Sequence, residues 1–313
     1  MSIAILLPCY NEGPAIHDVV KDFRTALPEA TVYVYDNNST DNTAAEARRA
    51  GAIVREEPAK GKGNVVRRMF ADIEADIYLM ADGDGTYDPE TAPLLVQKLI
   101  DDNLDMVVGA RVAAEGQATY RAGHVWGNRM LTGCVVFIFG RGFTDMLSGY
   151  RAFSRRFVKS FPALSRGFET ETELSVHALS LNIPTGEVET KYFERAEGTA
   201  SKLSTYADGI RILNFIALLF KEVRPFLFFS AVAVVLFLIS MIFGVQVLAE
   251  FYRTGMVAGM ARAVLTASLM VCALVSFVCG IVLDSVGRGR LEQKRLAYLA
   301  LSPLSHKKLR ERA

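Results

Sequence analysis

Two aspartates separated by one glycine follow a short apolar run in the first third of the chain. Asp82-Gly83-Asp84 comes directly after residues 77–81, a run typical of a buried strand. Such a strand end can hold a hard divalent cation, because Mg²⁺ is usually bound by one or two carboxylates together with phosphate oxygens. An acidic turn is the alternative, since Asp and Gly are also common loop residues. The pair indicates a metal-nucleotide site if further polar groups converge on it.

Polar, turn-forming residues also follow two other predicted strands. The first strand is followed by residues 8–12 (Pro-Cys-Tyr-Asn-Glu) and the second by residues 36–41 (Asp-Asn-Asn-Ser-Thr-Asp). In parallel sheets the ligand crevice lies beyond the carboxyl ends of the strands, so these two clusters and the Asp82/Asp84 pair are expected at one edge. Alternating strands and helical segments predict an α/β fold with a parallel sheet and crossover helices. The expected strands are residues 2–7, 31–35, 52–55, 77–80 and 106–108.

Composition separates the chain into a soluble part and an apolar part. Hydrophobic residues make up 51% of the 313 residues, and the excess lies in residues 226–284, because residues 1–205 resemble a soluble domain in composition. The formal net charge of +1 predicts no nucleic-acid partner. The four cysteines lack the spacing of a zinc site or a disulfide framework. The N-terminus begins with a strand-like run and no signal peptide, so the first domain is expected in the cytoplasm.

Two long apolar segments predict a transmembrane hairpin. Residues 226–249 and 263–283 are each about 20 or more largely uncharged residues, enough to span a bilayer as a helix. The connecting segment carries only Arg253 and Arg262 as cations, whereas the chain after Asp284 is rich in Lys and Arg. Basic flanks favour the cytoplasm, so both termini are expected on the cytoplasmic side of an inner (plasma) membrane.

Two shorter segments have apolar surfaces of a different kind. Residues 206–224 place most of their polar side chains on one arc of a helix, although Phe215 and Leu218 interrupt it. This pattern predicts an interfacial helix in the lipid headgroups, and packing against the soluble domain is the alternative. Residues 124–139 are strongly apolar but too short to span a bilayer, so we expect a helix that packs on the sheet or touches the membrane.

The motifs occur in a specific order along residues 1–205. Pro8-x-Tyr10-Asn11-Glu12, Asp36-Asn37-x-Ser39-x-Asp41 and Asp82-x-Asp84 come first. This combination resembles the family 2 glycosyltransferases of GT-A fold. The further series is similar to the dolichyl-phosphate mannose or glucose synthase branch and covers essentially the whole soluble domain. That series consists of Gly109-Ala110-Arg111, Gly127-Asn128-Arg129, Thr144-Asp145-x-x-Ser148-Gly149-Tyr150-Arg151 and Tyr192-x-x-Arg195-x-x-Gly198-x-x-Ser201-Lys202.

The resemblance and the apolar pattern together give a domain plan. We expect a Rossmann-like GT-A nucleotide-sugar domain over residues 1–205 and an amphipathic interfacial helix over 206–224. Two transmembrane helices are expected over 225–285, followed by a basic cytoplasmic tail over 286–313. Because similar enzymes form tetramers, a homo-tetramer is one expected assembly.

The resemblance also implies which residues bind the donor. In related enzymes the first strand end and the aspartate of the second hold the nucleobase and ribose. The loop Lys60-Gly61-Lys62-Gly63 could present backbone N–H groups and a cation to the nucleotide, and a solvated basic turn is the alternative. The expected nucleotide-sugar-binding residues are Pro8, Tyr10, Glu12, Asp36, Asn38, Lys60, Lys62, Asp82 and Arg111.

The aspartate pair is expected to act through a metal ion. Asp82 and Asp84 should position Mg²⁺ or Mn²⁺ on the donor diphosphate, which lowers the charge that builds on the leaving group. Some relatives carry Gln at the position of Thr86, so a third protein ligand stays open. Glu171, near the start of a predicted helix, would contact the donor sugar or stabilise the helix N-terminus.

A second set of cations suits an anionic acceptor. A phosphate monoester has its second pKa near about 6, so it is already ionised at neutral pH and needs cations more than a base. Guanidinium groups bind phosphate bidentately, although any single Arg could form an ordinary ion pair instead. Asp145 would orient the acceptor phosphate or a helper Arg, or cap a helix. The expected acceptor residues are Arg129, Arg151, Arg195, Ser201 and Lys202, and the expected catalytic residues are Asp84, Asp145 and Arg129.

These features predict a membrane-anchored, metal-dependent, inverting glycosyltransferase. It would move one sugar from a UDP- or GDP-sugar to a polyprenyl phosphate. A processive polysaccharide synthase is one alternative, but the chain has no Gln-x-x-Arg-Trp motif and only two predicted spans. A catalytically inactive, nucleotide-sugar-binding membrane regulator is another, and the intact Asp82, Asp84 and cationic set argue against it.

Overall fold

The computed structural model describes residues 1–113, 133, 142–165, 167, 169–193, 218, 220, 221, 223–257 and 259–304. The chain forms two compact units. The first comprises Met1–Leu213 and Lys294–Ala313, and the second comprises Asn214–Gln293. The predicted apolar segment 124–139 lies outside the described residues except for Gly133, and so does most of the predicted interfacial helix 206–224.

A mixed seven-stranded sheet lies at the centre of the described part of the first unit. The strands are β1 (Ile3–Cys9), β2 (Ala30–Asp36), β3 (Ile53–Glu56), β4 (Ile77–Met80), β5 (Met106–Ala113), β6 (Arg151–Ser154) and β7 (Thr185–Tyr192). Their order in the sheet is β3-β2-β1-β4-β6-β5-β7. Strands β1 to β4 are parallel to one another, and β7 is parallel to β5. The five predicted strands, β1 to β5, are confirmed.

Strand β6 corrects the prediction of a parallel sheet. It pairs antiparallel with both β4 and β5, so the sheet is mixed. All four of its residues are buried, including Arg151 and Ser154. Their polar groups are satisfied by hydrogen bonds to side chains and carbonyls of other elements, which allows a strand with polar residues at both ends to occupy the centre of the sheet.

Helices cover both faces of the sheet. Alternate residues of β1 point to opposite faces, so Leu6 joins one apolar cluster while Ile5 and Leu7 join the other. Strands covered on both faces become apolar throughout, as in β4, whose residues are all buried. The helices of this unit are α1 (Gly13–Ala26), α2 (Thr43–Arg49), α3 (Lys62–Asp72), α4 (Ala92–Asp101), α5 (Arg155–Ser160) and α6 (Thr170–Ser180), and a 3₁₀ turn spans Pro89–Thr91.

Two long helices follow. Helix α7 spans Pro225–Thr254 and helix α8 spans Met260–Leu299, with mean hydropathies of 2.8 and 2.4 in their most apolar windows. Both are long and apolar enough to cross a membrane, and they fit the predicted hairpin. Ser240 of α7 donates a hydrogen bond to the carbonyl of Thr266 in α8 at 2.9 Å. Gly255, with φ of 69°, ends α7 in the left-handed conformation that glycine adopts readily.

The end of α8 belongs to the first unit. Residues 294–304 belong to the first unit, and the predicted basic tail, residues 286–313, begins inside helix α8. The Tyr298 hydroxyl donates to Asp105 Oδ2 at 2.5 Å, and the Arg156 guanidinium lies 4.3 Å from the centre of the Tyr298 ring. Arg156 also pairs with Asp105 at 2.6 Å. Tyr298 thus becomes part of the core of the first unit.

Candidate active site

The ends of β1 and β2 are joined by hydrogen bonds between their polar clusters. Cys9 pairs with Asp36 in the sheet register, so both strands end at the same level. The backbone N–H of Asn11 donates to Ser39 Oγ at 2.8 Å, and the backbone N–H of Glu12 donates to Thr43 Oγ1 at 2.9 Å. The structure therefore brings together two of the three predicted polar clusters.

Asp36 provides a buried acceptor at this junction. One oxygen, Oδ2, accepts from the backbone N–H of Ser39 at 3.2 Å. The other, Oδ1, is buried without a hydrogen-bond partner among the described residues. A buried carboxylate oxygen in this condition is suited to accept an N–H or O–H from a ligand. Glu12 is also buried, and Tyr10 is 40% exposed, as expected of a ring that contacts a ligand.

Asn37 and Asn38 position the loop that carries the two lysines. The side-chain amide of Asn37 donates to the carbonyls of Glu57 and Ala59, both at 2.8 Å, and accepts from the backbone N–H of Gly61 at 2.8 Å. Asn38 donates to the carbonyl of Pro58 at 3.0 Å. Because their side chains contact loop backbone, these asparagines hold the loop in place. Asn37 was not among the predicted site residues.

The aspartate pair lies at the end of β4, as predicted. Asp84 is 2% exposed, and its Oδ1 accepts from the hydroxyl and the backbone N–H of Thr86 at 2.7 and 3.2 Å. Thr86 thereby orients Asp84. No group of three or more His, Cys, Asp and Glu side chains in the described ranges could hold a metal by itself. Two carboxylates, one of them held in place, fit Mg²⁺ or Mn²⁺ that also takes oxygens from a bound diphosphate.

Lys62 lies between two carboxylates. Its Nζ forms an ion pair with Asp82 Oδ1 and another with Glu171 Oε1, the latter at 2.5 Å. Burial by itself lowers the pKa of the ammonium group, but Asp82 and Glu171 raise this pKa above its ordinary value, so Lys62 stays charged. Lys62 begins helix α3, and Glu171 lies in the first turn of α6. The contact joins the lysine loop to the aspartate pair.

Gly149 packs against the same ion pairs. A Cβ atom at this position would lie 3.1 Å from Asp82 Oδ2 and 3.2 Å from Lys62 Nζ, so a larger residue would displace one of them. Its backbone N–H donates to the buried hydroxyl of Tyr87 at 2.8 Å. Burial raises the pKa of Tyr87, which keeps this hydroxyl protonated. Neither Tyr87 nor Gly149 was singled out from the sequence, although Gly149 stands inside a quoted motif.

Arg111 and Asp145 form a bidentate ion pair. The Nε and Nη2 atoms of Arg111 donate to the two carboxylate oxygens of Asp145 at 2.6 and 2.9 Å. The guanidinium lies 5.3 Å from the centre of the Tyr192 ring. This geometry fixes the guanidinium plane, and it places a predicted donor residue in contact with a predicted catalytic residue.

Arg151 requires a correction. Its side chain is fully buried, and the guanidinium donates to the carbonyls of Met146 and Ser148 at 2.6 and 2.8 Å and to Ser175 Oγ at 2.9 Å. Burial lowers its pKa to about 10, so it still carries a proton at neutral pH. A guanidinium that binds carbonyls inside the core cannot also bind a lipid phosphate. Arg151 therefore supports the fold and is not kept among the acceptor residues.

The remaining predicted acceptor residues are Arg129, Arg195, Ser201 and Lys202. All four lie outside the described residues, so their roles stay predictions.

The topology of the sheet defines a domain of the GT-A type. The chain belongs to glycosyl transferase family 2, whose sequence model matches residues 4–161. Glycosyltransferase AglJ of Haloferax volcanii is 37% identical over 232 residues, which is 74% of this chain and 76% of the relative. A dolichyl-phosphate hexose transferase of the same organism is 28% identical, covering 67% of this chain and 90% of the relative.

Solved structures support the fold assignment. Glucosyl-3-phosphoglycerate synthase from Mycobacterium tuberculosis, in complex with Mn²⁺, UDP and glucosyl-3-phosphoglycerate, superimposes with a TM-score of 0.53 at 23% identity. The match covers 70% of this chain and 79% of that chain. The same enzyme in complex with Mg²⁺ and UDP has the same TM-score, with coverage of 70% and 78%.

Proposed function

We propose that this protein transfers one hexose-type sugar from a UDP- or GDP-sugar to a polyprenyl phosphate in a membrane, with inversion at the anomeric carbon. The observation that carries the proposal is the Asp82/Asp84 pair, placed beside Lys62 at the strand ends of a family 2 chain that continues into two apolar helices. The Haloferax relative named as a dolichyl-phosphate hexose transferase supports the lipid acceptor. The metal and UDP in the structural neighbour support the donor class.

In this proposal the strand ends bind the donor. The nucleobase and ribose would contact Pro8, Tyr10, Glu12 and Asp36. Within the part of the chain that the structure describes, Asp36 offers a buried oxygen with no hydrogen-bond partner. Asp82 and Asp84 would hold Mg²⁺ or Mn²⁺. The cation would offset the negative charge that develops on the departing nucleotide diphosphate.

The acceptor would attack without a strong base. Near-neutral pH already ionises a phosphate monoester, so its oxygen needs orientation and charge neutralisation. The described site agrees with that requirement, because Asp145 is ion-paired with Arg111, and Asp82 and Glu171 are ion-paired with Lys62. Carboxylates held in ion pairs are better suited to holding a cation than to removing a proton from the acceptor. Arg129, Arg195, Ser201 and Lys202 are the proposed acceptor contacts.

The membrane arrangement is part of the proposal. Helices α7 and α8 would cross the membrane, with the catalytic domain and both termini in the cytoplasm. The contact of Tyr298 with Asp105 in the catalytic unit supports this topology, because Tyr298 must then lie on the same side as Asp105. A homo-tetramer stays a prediction.

A lipid-product assay tests the proposal. The purified full chain in detergent is incubated with Mn²⁺, a short-chain polyprenyl phosphate and a panel of UDP- and GDP-sugars, and the lipid masses are read. We expect one added sugar with one donor class, and none on the matching polyprenol that lacks phosphate. Serial addition of sugars would favour a polysaccharide synthase. Donor binding without product would favour an inactive regulator, and transfer to 3-phosphoglycerate alone would exclude the lipid acceptor.

A further inference from the structure

Lys62 has two acidic partners that differ in their access to solvent. The side chain of Asp82 is 30% exposed, whereas that of Glu171 is only 5% exposed. Asp82 therefore lies on the open side of the ammonium group and Glu171 on its inner side. A Cβ atom added at Gly149 would lie 3.2 Å from Lys62 Nζ, so any larger residue at this position would crowd the ammonium group.

Lys62 and a divalent cation compete for Asp82. An oxygen that accepts a close ion pair from Lys62 is a poor ligand for a divalent cation, because the two positive charges repel at contact distance. A donor diphosphate is an anion that could receive Lys62 at the moment when Asp82 accepts the cation. A lysine side chain is flexible and carries a point charge, so it can turn between neighbouring anions while one partner retains it.

We propose that Lys62 is a donor-responsive cation that neutralises Asp82 in the free protein and turns to the donor diphosphate when a metal-nucleotide complex binds. Glu171 is the positioning residue that retains Lys62 throughout this movement. The inference rests on the proposed use of a nucleotide-diphosphate donor. It follows that the metal ion and the nucleotide bind as one unit, and that the metal alone binds weakly.

The first test measures Mn²⁺ binding without nucleotide. The full chain in detergent is titrated with Mn²⁺, and the free ion is followed by electron paramagnetic resonance. Removing the competing cation in Lys62→Met should tighten Mn²⁺ binding about tenfold or more, the size of a lost charge-assisted contact. The same variant should bind UDP in the presence of Mn²⁺ about tenfold more weakly, because the diphosphate loses Lys62. Opposite shifts in the two titrations distinguish this role from a purely structural one.

Matched variants separate local competition from net charge. Lys98→Met removes one positive charge from an exposed pair with Asp102 on α4, so it should change neither titration. Glu171→Gln should weaken Mn²⁺ binding, because Lys62 then has Asp82 as its remaining anion. The double variant Lys62→Met/Glu171→Gln keeps the net charge and should still bind Mn²⁺ more tightly than the unsubstituted chain. It also removes both charges of the buried pair, so it provides the test if Lys62→Met does not fold.

Other outcomes would overturn the inference. Mn²⁺ affinity that is unchanged or reduced in a folded Lys62→Met or double variant means that Lys62 does not compete at Asp82. If Glu171→Gln weakens UDP binding equally with and without Lys62, Glu171 acts independently of the lysine. The Mn²⁺ titration contains no acceptor and no sugar. A chain that makes no lipid product but shows these shifts would therefore refute the proposed acceptor and leave the Lys62 assignment standing.

Discussion

Arg111 and Asp145 are joined by two parallel hydrogen bonds, so a residue expected to bind the donor and a residue expected at the catalytic centre form one unit. Asp145 is 6% exposed, and a carboxylate at that depth holds its partner firmly. The pair also includes a contact from the backbone N–H of Arg111 to Asp145 Oδ2 at 3.3 Å. Substitutions at the two positions should therefore not act independently.

A double-mutant cycle tests whether Arg111 and Asp145 act together. Arg111→Gln and Asp145→Asn should each lower kcat/KM for sugar transfer, and the double variant should lose little more than the worse single variant. A coupling free energy of about 0.5–3 kcal/mol is expected for residues in one ion pair. The exposed pair Arg155 and Glu74 serves as a control and should show no effect on transfer. Additive losses at Arg111 and Asp145 would contradict the assignment.

Asp84→Asn should nearly abolish transfer and preserve the fold. The amide oxygen can still accept from Thr86, whereas the charge that binds a divalent cation is lost. Since a metal supplies several kcal/mol of charge stabilisation, we expect a fall of about a thousandfold in kcat. Asp82→Ala should act in the same direction and less completely. Circular dichroism checks folding, and Asp102→Asn, at the exposed residue that follows α4, is the control. Near-normal turnover by Asp84→Asn in Mn²⁺ buffer would refute the metal assignment.

Substitutions at the proposed acceptor residues should raise the Michaelis constant for the lipid phosphate and leave that for the sugar donor nearly unchanged. Arg195→Ala and Lys202→Ala should each weaken use of the lipid phosphate by about 1.5–3 kcal/mol, the range for a hydrogen bond to a charged group. The binding of UDP should change little, because the nucleotide has its own contacts. Steady-state kinetics with the lipid and the donor varied in turn measures both constants. If donor binding fails while the Michaelis constant for lipid stays fixed, these cations belong to the donor diphosphate.

The buried His177 should make the protein less stable in mild acid. Its ring packs against Phe157 and Phe161, and neither ring nitrogen has a hydrogen-bond partner among the described residues. Burial, with a smaller contribution from Lys294, lowers its pKa from 6.5 to about 3. The unfolded chain therefore binds a proton between these values that the folded chain does not, so stability falls as the pH drops below about 6.5.

Thermal unfolding at several pH values measures this effect. Between about pH 6.5 and 5 the contribution of His177 should remove about 2 kcal/mol of the free energy of unfolding. His177→Leu should lack that part of the pH dependence. A His17→Leu variant, altered at a histidine outside the core, should keep it. If the His177→Leu variant and the unsubstituted chain lose stability in parallel over this range, His177 is not the group responsible.

Labelling of single cysteines tests the topology. In a chain whose native cysteines are replaced by alanine, Ser302→Cys should react with an impermeant maleimide from the side that holds the catalytic domain. Met256→Cys, between the two long helices, should react from the opposite side. The reason is that Tyr298, close to Ser302, contacts Asp105 in the catalytic unit. Labelling of both positions from one side would exclude the hairpin.

The sequence was informative where local chemistry determines structure. Strands β1, β2, β4 and β5 contain apolar runs bounded by turn residues, and the rule for strand ends placed Asp36, Asp82 and Asp84 at one edge. Strand β6 was missed because its polar residues are satisfied by partners that are distant in the chain, such as Asp105 for Ser154. The largely polar β7 was missed because, as an edge strand, it needs no continuous apolar run.

The pairing of site residues depended on tertiary structure. Lys62, Asp82 and Glu171 come from three separate elements, and periodicity along the chain contains no information about their contact. The surroundings of Arg151 also depended on tertiary structure. A guanidinium in a motif suggested phosphate binding, whereas the fold surrounds it with carbonyls.

The hydrogen bond from Tyr298 to Asp105 joins residues 193 positions apart, and helix α7 and nearly all of helix α8 lie between them in the chain. During synthesis Asp105 leaves the ribosome well before α8 exists, since chains emerge from the N-terminus at a limited rate. Tyr298 can therefore join the core of the catalytic domain only after most of α8 has been made. This part of the core therefore depends on synthesis of α8, and a chain that stopped before Tyr298 would leave Asp105 without its tyrosine partner.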